Sequence, residues 1–254
     1  MVNKAVILAA GKGERLAQGI AWPKPLKKVA GTPLIVRIIR NLERAGVKEV
    51  GIVVGFMSEV LVSSLQKYDF SARLHFFQND EFDKPNGTSL LKAASFVREP
   101  TYLLMSDHLW SPSLLDAVGR TQLTASQAAL GVDYGIDRCF DLPDATKVWV
   151  QEGRIRHIGK EIDRYNAIDT GVFLVTPALI EALRSVDGER GCSLSQGVAV
   201  LAEAGNMVAT DTGDACWIDV DTPSALAQAE ALIGRYGETL APRPAKGRAF
   251  APSL

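Results

Sequence analysis

The sequence predicts an α/β fold: a Rossmann-like, mixed but mostly parallel sheet flanked by helices, with a small antiparallel element in its second half. In the first half, short β-branched runs alternate with helical stretches at the spacing of βαβ units. Several of these runs are apolar on both faces, as strands covered by helices on both sides must be. After about residue 125 the rhythm changes, and period-two alternation around Glu152-Gly153 indicates a β-hairpin.

The predicted elements follow one another along a single domain, residues 1–240. Its first half, 1–125, contains strands at 4–9, 49–55, 72–77 and 101–106 and helices near 33–45, 58–67 and 88–97. Its second half, 126–240, contains the hairpin at 146–159, strands at 171–176 and 215–220, and helices near 177–185 and 194–204. Thr222-Pro223 opens a last helix, because Thr is a good cap and Pro suits the first helical position. The tail 241–254, rich in Pro, Ala and Arg, is expected to be flexible.

Composition limits the partners and the compartment. The net charge is −1, from 28 Lys and Arg against 29 Asp and Glu, so no overall field attracts nucleic acid or an anionic membrane. Three widely spaced cysteines without a CxxC pair argue against a disulfide framework and structural zinc. No basic-then-apolar leader follows Met1, and no apolar run reaches the roughly 18 residues of a membrane span. We expect a cytoplasmic protein without a signal peptide or membrane span, and its oligomeric state stays open.

The loop after the first predicted strand is rich in glycine and in positive charge. It follows the strand AVILA within residues 5–26, at the carboxyl end where doubly wound sheets bind ligands. Gly11 and Gly13 would let backbone N–H groups approach a polyphosphate, and Arg15 and Lys24 would add charge. A tight βα turn without a ligand would also explain the glycines. The spacing fits neither a P-loop nor GxGxxG, so dinucleotide binding is disfavoured.

Two further segments place carboxylates at strand ends. Asp107 follows an apolar strand in YLLMSDH, and Asp219 and Asp221 lie in WIDVDTP. Two such strand ends could clamp a hard cation such as Mg²⁺, which prefers oxygen ligands, although an Asp after a strand often caps a helix instead. The spacing puts Asp219 and Asp221 on the same strand face, so both remain candidates. His108, beside Asp107, is a packed residue or a substrate contact.

The segments LAAGKGERL and PKPL together resemble the signature of the sugar-phosphate nucleotidyltransferases, a GT-A-like family. The later segments NGTSL, MSDH, DTGVF and WIDVDTP follow in the family's order, and the resemblance covers residues 4–235. Such enzymes join a nucleoside triphosphate to a phosphorylated small molecule and release pyrophosphate. The resemblance therefore implies a nucleotide half, 1–125, and an acceptor half, 126–240.

The resemblance also implies roles for individual residues. For catalysis and phosphate binding it implies Arg15, Lys24 and Asp107, and for Mg²⁺ it implies Asp107 with Asp219 or Asp221. For the nucleotide it implies Leu8, Ala9, Ala10, Gly11, Gly13, Gln78, Asn86, Gly87 and Thr88. For the acceptor it implies His108, Lys147, Lys160, Asp169, Thr170 and Gly171. Helix capping would equally explain Thr88, and a solvated surface position would explain either lysine.

Within the family, these segments and DATKVWVQEGRIRHIGKEI look most like the CTP:inositol-1-phosphate cytidylyltransferases, so CTP and inositol 1-phosphate are the expected substrates. Bifunctional relatives of those enzymes continue into a membrane domain, which is not expected here. A hexose-1-phosphate nucleotidyltransferase and a choline-phosphate or aminoethylphosphonate cytidylyltransferase remain alternatives. Choline would call for an aromatic cage, with Trp110, Trp149 and Tyr165 as candidates. Outside enzymes, the alternative is a nucleotide-sensing module.

Overall fold

The computed structural model describes residues 2–13 and 22–240, so the segment 14–21 and the predicted tail, 241–254, lie outside it. The strands are β1 (Lys4–Ala9), β2 (Lys28–Val29), β3 (Thr32–Pro33), β4 (Glu49–Val54), β5 (Arg73–Gln78), β6 (Thr101–Met105), β7 (His108–Trp110), β8 (Ala128–Asp133), β9 (Lys147–Gln151), β10 (Arg154–Gly159), β11 (Ala167–Val175), β12 (Met207–Asp211) and β13 (Trp217–Asp219). The helices are α1 (Leu34–Arg44), α2 (Ser58–Leu65), α3 (Asn86–Lys92), α4 (Pro112–Gly119), α5 (Pro177–Val186), α6 (Leu194–Glu203) and α7 (Pro223–Tyr236).

Nine of the strands form one sheet in the order β5-β4-β1-β6-β11-β8-β12-β10-β9. Within this sheet the strands of the first half pair with one another in parallel: β1 lies between β4 and β6, and β5 extends the sheet beyond β4. The last five residues of β1 are buried, because helices cover both faces of the sheet. The predicted α/β class and the four strands of this half are confirmed.

The second half of the chain makes the sheet mixed. The long strand β11 runs antiparallel to β6 on one side and to β8 on the other. The predicted hairpin is β9 and β10, and its two turn residues, Glu152 and Gly153, have φ angles of 51° and 69°. Two successive positive φ angles are the geometry of a type I′ turn, whose twist matches that of the paired strands.

Besides the short strands β2, β3 and β7, the sequence analysis did not find β8, β12 or α4. Every residue of β8 is buried, so the strand AALGVD has no alternation to detect, and its alanines and glycine are poor strand formers. The strand β12 has five residues and α4 has eight, so neither carries a long periodic signal. Tertiary burial, rather than local preference, determines these three elements.

Helices pack on both faces of the sheet. One apolar cluster joins the sheet to α1, α2 and α4, and a second joins it to α3, α5 and α6. A third cluster packs α7 against a separate two-stranded sheet formed by β7 and β13. Across residues 2–13 and 22–240, no helix has both the length and the apolar character that crossing a membrane requires.

The small β7–β13 sheet matters most for the site. It is antiparallel, and its register places Asp219 opposite His108. Leu109 and Ile218, at the next position of each strand, are buried in the third apolar cluster. Burial of these apolar side chains on one face fixes the register, because a slip by one residue would expose them. The pairing therefore brings two chain segments more than 100 residues apart to the carboxyl end of β6.

Substitution of Ser193, which caps α6, tests how this helix is fixed. The Ser193 hydroxyl accepts a hydrogen bond from the Gln196 backbone N–H at 3.2 Å, and the Gln196 side chain accepts one from the Ser193 N–H at 2.7 Å. We expect Ser193→Ala to lower the free energy of unfolding by about 1 kcal/mol in urea denaturation, because it removes the side-chain oxygen that accepts from the first turn of α6. Ser193→Thr, which keeps the hydroxyl, should lose less than half as much. Equal losses in the two variants would contradict the capping role.

Candidate active site

A cleft of about 490 Å³ opens where β1 ends. It is lined by Leu8, Ala10, Gly11, Lys12, Gly13, Lys24, Pro25, Phe82, Asp83, Lys84, Asn86, Ser89, Met105, Ser106 and Asp107. A Cβ atom added at Gly11 would meet nothing within 4 Å, so the backbone at the strand end is open to a ligand. The cleft is the position expected for a bound nucleotide at a parallel strand end.

Gly13 and Lys24 are packed against each other. Gly13 has a φ of +63°, and a Cβ there would lie 2.4 Å from Cβ of Lys24. Lys24 begins a short 3₁₀ helix, Lys24–Leu26, directly after Pro23, so its backbone is held where this contact is made. The glycine is therefore required by Lys24 as well as by the shape of the turn. Arg15, the other predicted phosphate-binding cation, lies outside the described residues.

Four charged side chains meet at the inner end of the cleft. Lys24 donates a hydrogen bond from Nζ to Oδ2 of Asp107 at 2.6 Å, and His108 donates one from Nδ1 to Oδ1 of the same carboxylate at 2.8 Å. Oδ1 of Asp219 lies 3.9 Å from the Lys24 ammonium and 3.8 Å from the His108 ring nitrogen. Two carboxylates and two cations thus share one partly buried site, which we call the charge cluster.

The charge cluster shifts the pKa values of its members. Burial would raise the pKa of Asp107, but Lys24 and His108 outweigh it and hold that pKa well below its usual range. Burial would lower the pKa of His108, but the carboxylates of Asp219, Asp107 and Asp169 raise it to about 9. Burial is the largest cause of the pKa shift of Asp219, and it raises that pKa to about 6. Asp107 is therefore a carboxylate and His108 an imidazolium at neutral pH.

The charge cluster fits a divalent cation. Carboxylate oxygens of Asp107 and Asp219 lie within 4.8 Å of each other and of a His108 ring nitrogen; because His108 is an imidazolium that donates to Asp107, the two carboxylates are the candidate ligands. Oδ1 of Asp219 is buried and accepts no hydrogen bond from any residue that the structure describes. A buried carboxylate oxygen left in this way favours a cation, and oxygen donors suit Mg²⁺. Asp221, the alternative ligand, is buried but is not part of this group of three.

A second cavity, of about 190 Å³, lies on the other side of the charge cluster. Its wall contains Asn86, Met105, His108, Cys139, Phe140, Asp141, Asp144, Ala145, Thr146, Ile158, Lys160, Asp169, Gly171, Phe173, Leu194, Ser195, Val198, Trp217, Ile218, Asp219 and Asp221. Asn86 and Met105 line both cavities, so the two spaces adjoin each other. Two ligands bound in them would meet beside Asp107 and Asp219.

Four of the six predicted acceptor residues line this second cavity: His108, Lys160, Asp169 and Gly171. Asp169 accepts a hydrogen bond from the Gly171 N–H at 2.7 Å, within an irregularity of the β8–β11 pairing. Gly171 has a φ of +74°, and a Cβ there would lie 2.6 Å from the His108 ring. The glycine therefore makes room for the imidazole, and burial raises the pKa of Asp169 to about 6.

The other two predicted acceptor residues have different surroundings. Thr170 is fully buried and donates its hydroxyl hydrogen bond to the Gly131 carbonyl at 2.8 Å. The Lys147 ammonium donates to the carbonyls of Pro143, Ala145 and Lys160 at 3.3, 3.2 and 2.9 Å. Neither side chain is part of the cavity wall. Lys147 instead ties together the two chain segments that carry Asp144 and Lys160.

The predicted nucleotide residues also divide into two groups. Those that line the cleft are Leu8, Ala10, Gly11, Gly13 and Asn86, whereas Ala9, Gln78, Gly87 and Thr88 do not. A Cβ at Gly87 would lie 2.6 Å from the Cys192 carbonyl, and the Thr88 hydroxyl accepts a hydrogen bond from the Cys192 N–H at 3.2 Å. Gly87 and Thr88 therefore join α3 to the chain just before α6. Gln78 is exposed and donates to Asp80.

Some cavity residues were missed by the sequence analysis. In the cleft these include Lys12, Phe82, Asp83, Lys84 and Ser89, and in the second cavity they include Phe140, Asp141, Asp144 and Trp217. Phe82 to Ser89 fall in a segment already considered for nucleotide binding, so its loop could have been included. Residues 134–143 have no periodicity or motif that would mark them, whereas Asp144 begins the segment DATKV, which the sequence analysis had used.

The role of Thr88 can be tested separately from nucleotide binding. We expect Thr88→Val to lower the free energy of unfolding by about 1–3 kcal/mol, because it leaves the Cys192 N–H without its acceptor in a buried position. The dissociation constant of a nucleoside triphosphate, measured by calorimetry on the folded variant, should stay within about twofold of wild type because Thr88 is not in the cleft. Thr88→Ser should restore most of the stability. A tenfold weaker nucleotide affinity with unchanged stability would reverse this assignment.

Comparisons with known proteins agree with this geometry. Residues 5–193 match the MobA-like NTP transferase domain. The chain is 34% identical over 231 residues to the bifunctional IPC transferase and DIPP synthase of Rubrobacter xylanophilus, covering 90% of this chain and 51% of that protein. It is 33% identical over 237 residues to the protein of the same name from Aquifex aeolicus, covering 92% and 52%. The chain thus spans about half the length of these curated relatives.

Among solved structures, the inositol-1-phosphate CTP transferase from T. maritima has a TM-score of 0.81 to this chain at 26% identity. The similarity covers 92% of this chain and 97% of that one. The matched family region begins in β1, includes the cleft and Asp107, and extends to the residue that caps α6. This chain belongs to the family of MobA-like NTP transferase domains.

Proposed function

We propose that this chain transfers a cytidylyl group from CTP to inositol 1-phosphate and releases pyrophosphate. The observation that carries the proposal is the charge cluster at the junction of two adjoining cavities. A nucleotide cleft and a smaller cavity that meet at two carboxylates suit the joining of two phosphate-bearing substrates. The identity of the pair is supported by the likeness to the T. maritima inositol-1-phosphate CTP transferase and to the bifunctional IPC transferases.

The reaction is an in-line displacement at the α-phosphorus of CTP. An oxygen of the acceptor phosphate attacks, the bond to the bridging oxygen breaks, and pyrophosphate leaves. This nucleophile is already anionic near neutral pH, so no general base is required. The protein has to position two anions and offset their mutual repulsion. This repulsion becomes stronger as water is excluded from the site.

The chain's own residues divide this work. Lys24, at the inner end of the cleft, offsets negative charge on the triphosphate, and the imidazolium of His108 keeps the Asp107 carboxylate in one orientation. Asp107 and Asp219 would hold Mg²⁺. When bound, the ion would supply positive charge that offsets the negative charge of the reacting phosphates. Arg15 remains proposed as a further phosphate contact on the basis of the family resemblance.

The wall of the second cavity suits a polyhydroxylated acceptor. It carries the carboxylates Asp141, Asp144, Asp169 and Asp221, and ionised carboxylates accept hydrogen bonds from hydroxyl groups. Lys160 lines the same wall and is paired with Asp144 at 2.5 Å. Of the aromatic residues considered for a choline cage, Trp110, Trp149 and Tyr165 lie outside this wall, whereas Phe140, Phe173 and Trp217 lie within it. The choice of inositol phosphate over phosphocholine therefore rests on the likeness to the T. maritima inositol-1-phosphate CTP transferase.

A substrate panel tests the proposal. Pyrophosphate release would be measured with Mg²⁺, pairing CTP, UTP, dTTP, GTP and ATP with inositol 1-phosphate, phosphocholine, aminoethylphosphonate and glucose 1-phosphate. We expect the highest kcat/KM for CTP with inositol 1-phosphate, by at least about a hundredfold over glucose 1-phosphate. A preference for another pair would contradict the substrate assignment. Tight CTP binding without turnover with any acceptor would instead indicate a nucleotide-sensing module.

The metal assignment is tested with three Asp→Asn variants, at Asp107, Asp219 and Asp221. We expect Asp107→Asn and Asp219→Asn to lower kcat at least about a hundredfold and to raise the Mg²⁺ concentration needed for half-maximal rate, because each loses a charged ligand oxygen. Asp221→Asn, a buried carboxylate in the same wall, serves as the matched control and should lose less than about tenfold. Chelation of Mg²⁺ by EDTA should stop wild-type turnover. If Asp221→Asn were inactive and Asp219→Asn active, the second ligand would be Asp221.

A further inference from the structure

We propose that Asp133 is a positioning residue that joins the acceptor loop, residues 134–146, to the charge cluster. Its single carboxylate holds the start of that loop and also the indole of Trp217, which lies beside His108. The inference rests on the proposed function, because the ligand concerned is the acceptor bound in the second cavity. Asp133 lines neither cavity and so would act entirely through its neighbours.

Asp133 is buried at the carboxyl end of β8, and hydrogen-bond donors surround it. Its Oδ1 accepts from the Gly135 N–H at 2.7 Å and from Nη2 of Arg138 at 3.2 Å. Its Oδ2 accepts from the Trp217 indole Nε1–H at 2.9 Å. Only 2% of the residue is exposed, so the carboxylate depends on these three donors to compensate for lost water. A change in this carboxylate therefore alters the hydrogen bonds of all three donors.

One side of this arrangement anchors the acceptor loop. Six loop residues line the second cavity: Cys139, Phe140, Asp141, Asp144, Ala145 and Thr146. Near its start, Arg138 binds both Asp133 and, at 3.0 Å, Asp214 on the segment that leads to β13. Near its end, Lys147 binds the carbonyls of Pro143 and Ala145. The loop is thus held at both ends, and Cys139, Phe140 and Asp141 lie between the anchors.

The other side reaches the charge cluster. Trp217 is the first residue of β13, and its ring lies parallel to the His108 ring, with 8° between the planes and 6.3 Å between the centroids. His108 in turn donates the 2.8 Å hydrogen bond to Asp107. The indole N–H to Asp133 fixes how the Trp217 ring is turned within the cavity wall. Asp133 therefore acts on Asp107 through two intervening side chains.

An amide cannot replace this carboxylate. Every partner of Asp133 is a donor, and a carboxylate supplies two accepting oxygens, whereas an Asn side chain supplies one and adds an NH₂ group. In Asp133→Asn, at least one N–H on the loop side or on the Trp217 side would face another donor. The Asp133 carboxylate thus constrains the loop and the Trp217 indole together. An apolar side chain at this position could not do so, because it accepts no hydrogen bonds.

Steady-state kinetics of four variants test the proposal. Asp133→Asn should raise the acceptor KM by about tenfold and lower kcat by about tenfold, the size of effect typical of residues one shell out from a site. Arg138→Met should raise the acceptor KM with kcat within about twofold, whereas Trp217→Phe, which keeps a ring but loses the N–H, should lower kcat. The KM for CTP should stay near wild type in all of them. Asp137→Asn, an exposed residue of the same loop, is the matched control.

A second readout does not depend on turnover. Cys139 is half-buried in the acceptor loop, whereas Cys192 and Cys216 are buried, so iodoacetamide should modify Cys139 first in the folded protein. We expect Asp133→Asn and Arg138→Met to raise the alkylation rate of Cys139 by at least about fivefold, because the loop loses an anchor. Trp217→Phe and Asp137→Asn should leave the rate near wild type. Cys139→Ser would confirm which thiol is modified.

The two readouts separate the possible failures. If wild type turned over no substrate pair, the proposed function would fail, and the Cys139 rates would still decide whether Asp133 anchors the loop. If Asp133→Asn were folded by its thermal transition but matched Asp137→Asn in KM, kcat and alkylation rate, Asp133 would have no positioning role. If Asp133→Asn did not fold, the different effects expected for Arg138→Met, on the acceptor KM, and for Trp217→Phe, on kcat, would carry the test, and identical behaviour of those two would overturn the proposal.

Discussion

The structure of the site depends on one electrostatic constraint: two carboxylates, Asp107 and Asp219, lie close together in a partly buried position and must be neutralised. Water cannot do this fully at such a site, so cations have to come from the protein or from a ligand. Lys24 and the imidazolium of His108 supply two charges, and both are bound to Asp107. Asp219 retains a buried oxygen without a hydrogen bond from the described residues.

Several local features follow from that constraint. Lys24 reaches Asp107 only because Gly13 has no side chain in its way, and the His108 ring fits because Gly171 has none. The β7–β13 register then sets Asp219 opposite His108. Each feature comes from a different part of the chain, yet each acts on the same few atoms. A loop, a bulged strand and a two-stranded sheet are thus combined to hold one group of charges.

The parts that could be predicted from the sequence are those with a local signature. Asp107 and Asp219 follow or end apolar strands, and Gly13 lies in a glycine-rich turn, so the α/β class and the members of the charge cluster could be named in advance. Thr88 and Lys147 could not be placed, because a cap pattern or a lone lysine says nothing about a partner distant in the chain. The Thr88 hydroxyl meets Cys192, more than 100 residues away.

The charge cluster and the second cavity differ in how they are built, and this difference has a functional consequence. Asp107, His108 and Asp219 of the charge cluster lie at the ends of paired strands, which fix side chains closely. Much of the second cavity is formed by the acceptor loop, which hydrogen bonds to the main sheet at few points and is held by the side chains of Asp133 and Lys147. Loops tolerate sequence change better than strands do. A change of acceptor could therefore arise by altering residues such as Phe140 and Asp141 while both anchors are kept. The same change at Asp107 or Lys24 would disturb the charge balance on which transfer to every acceptor depends.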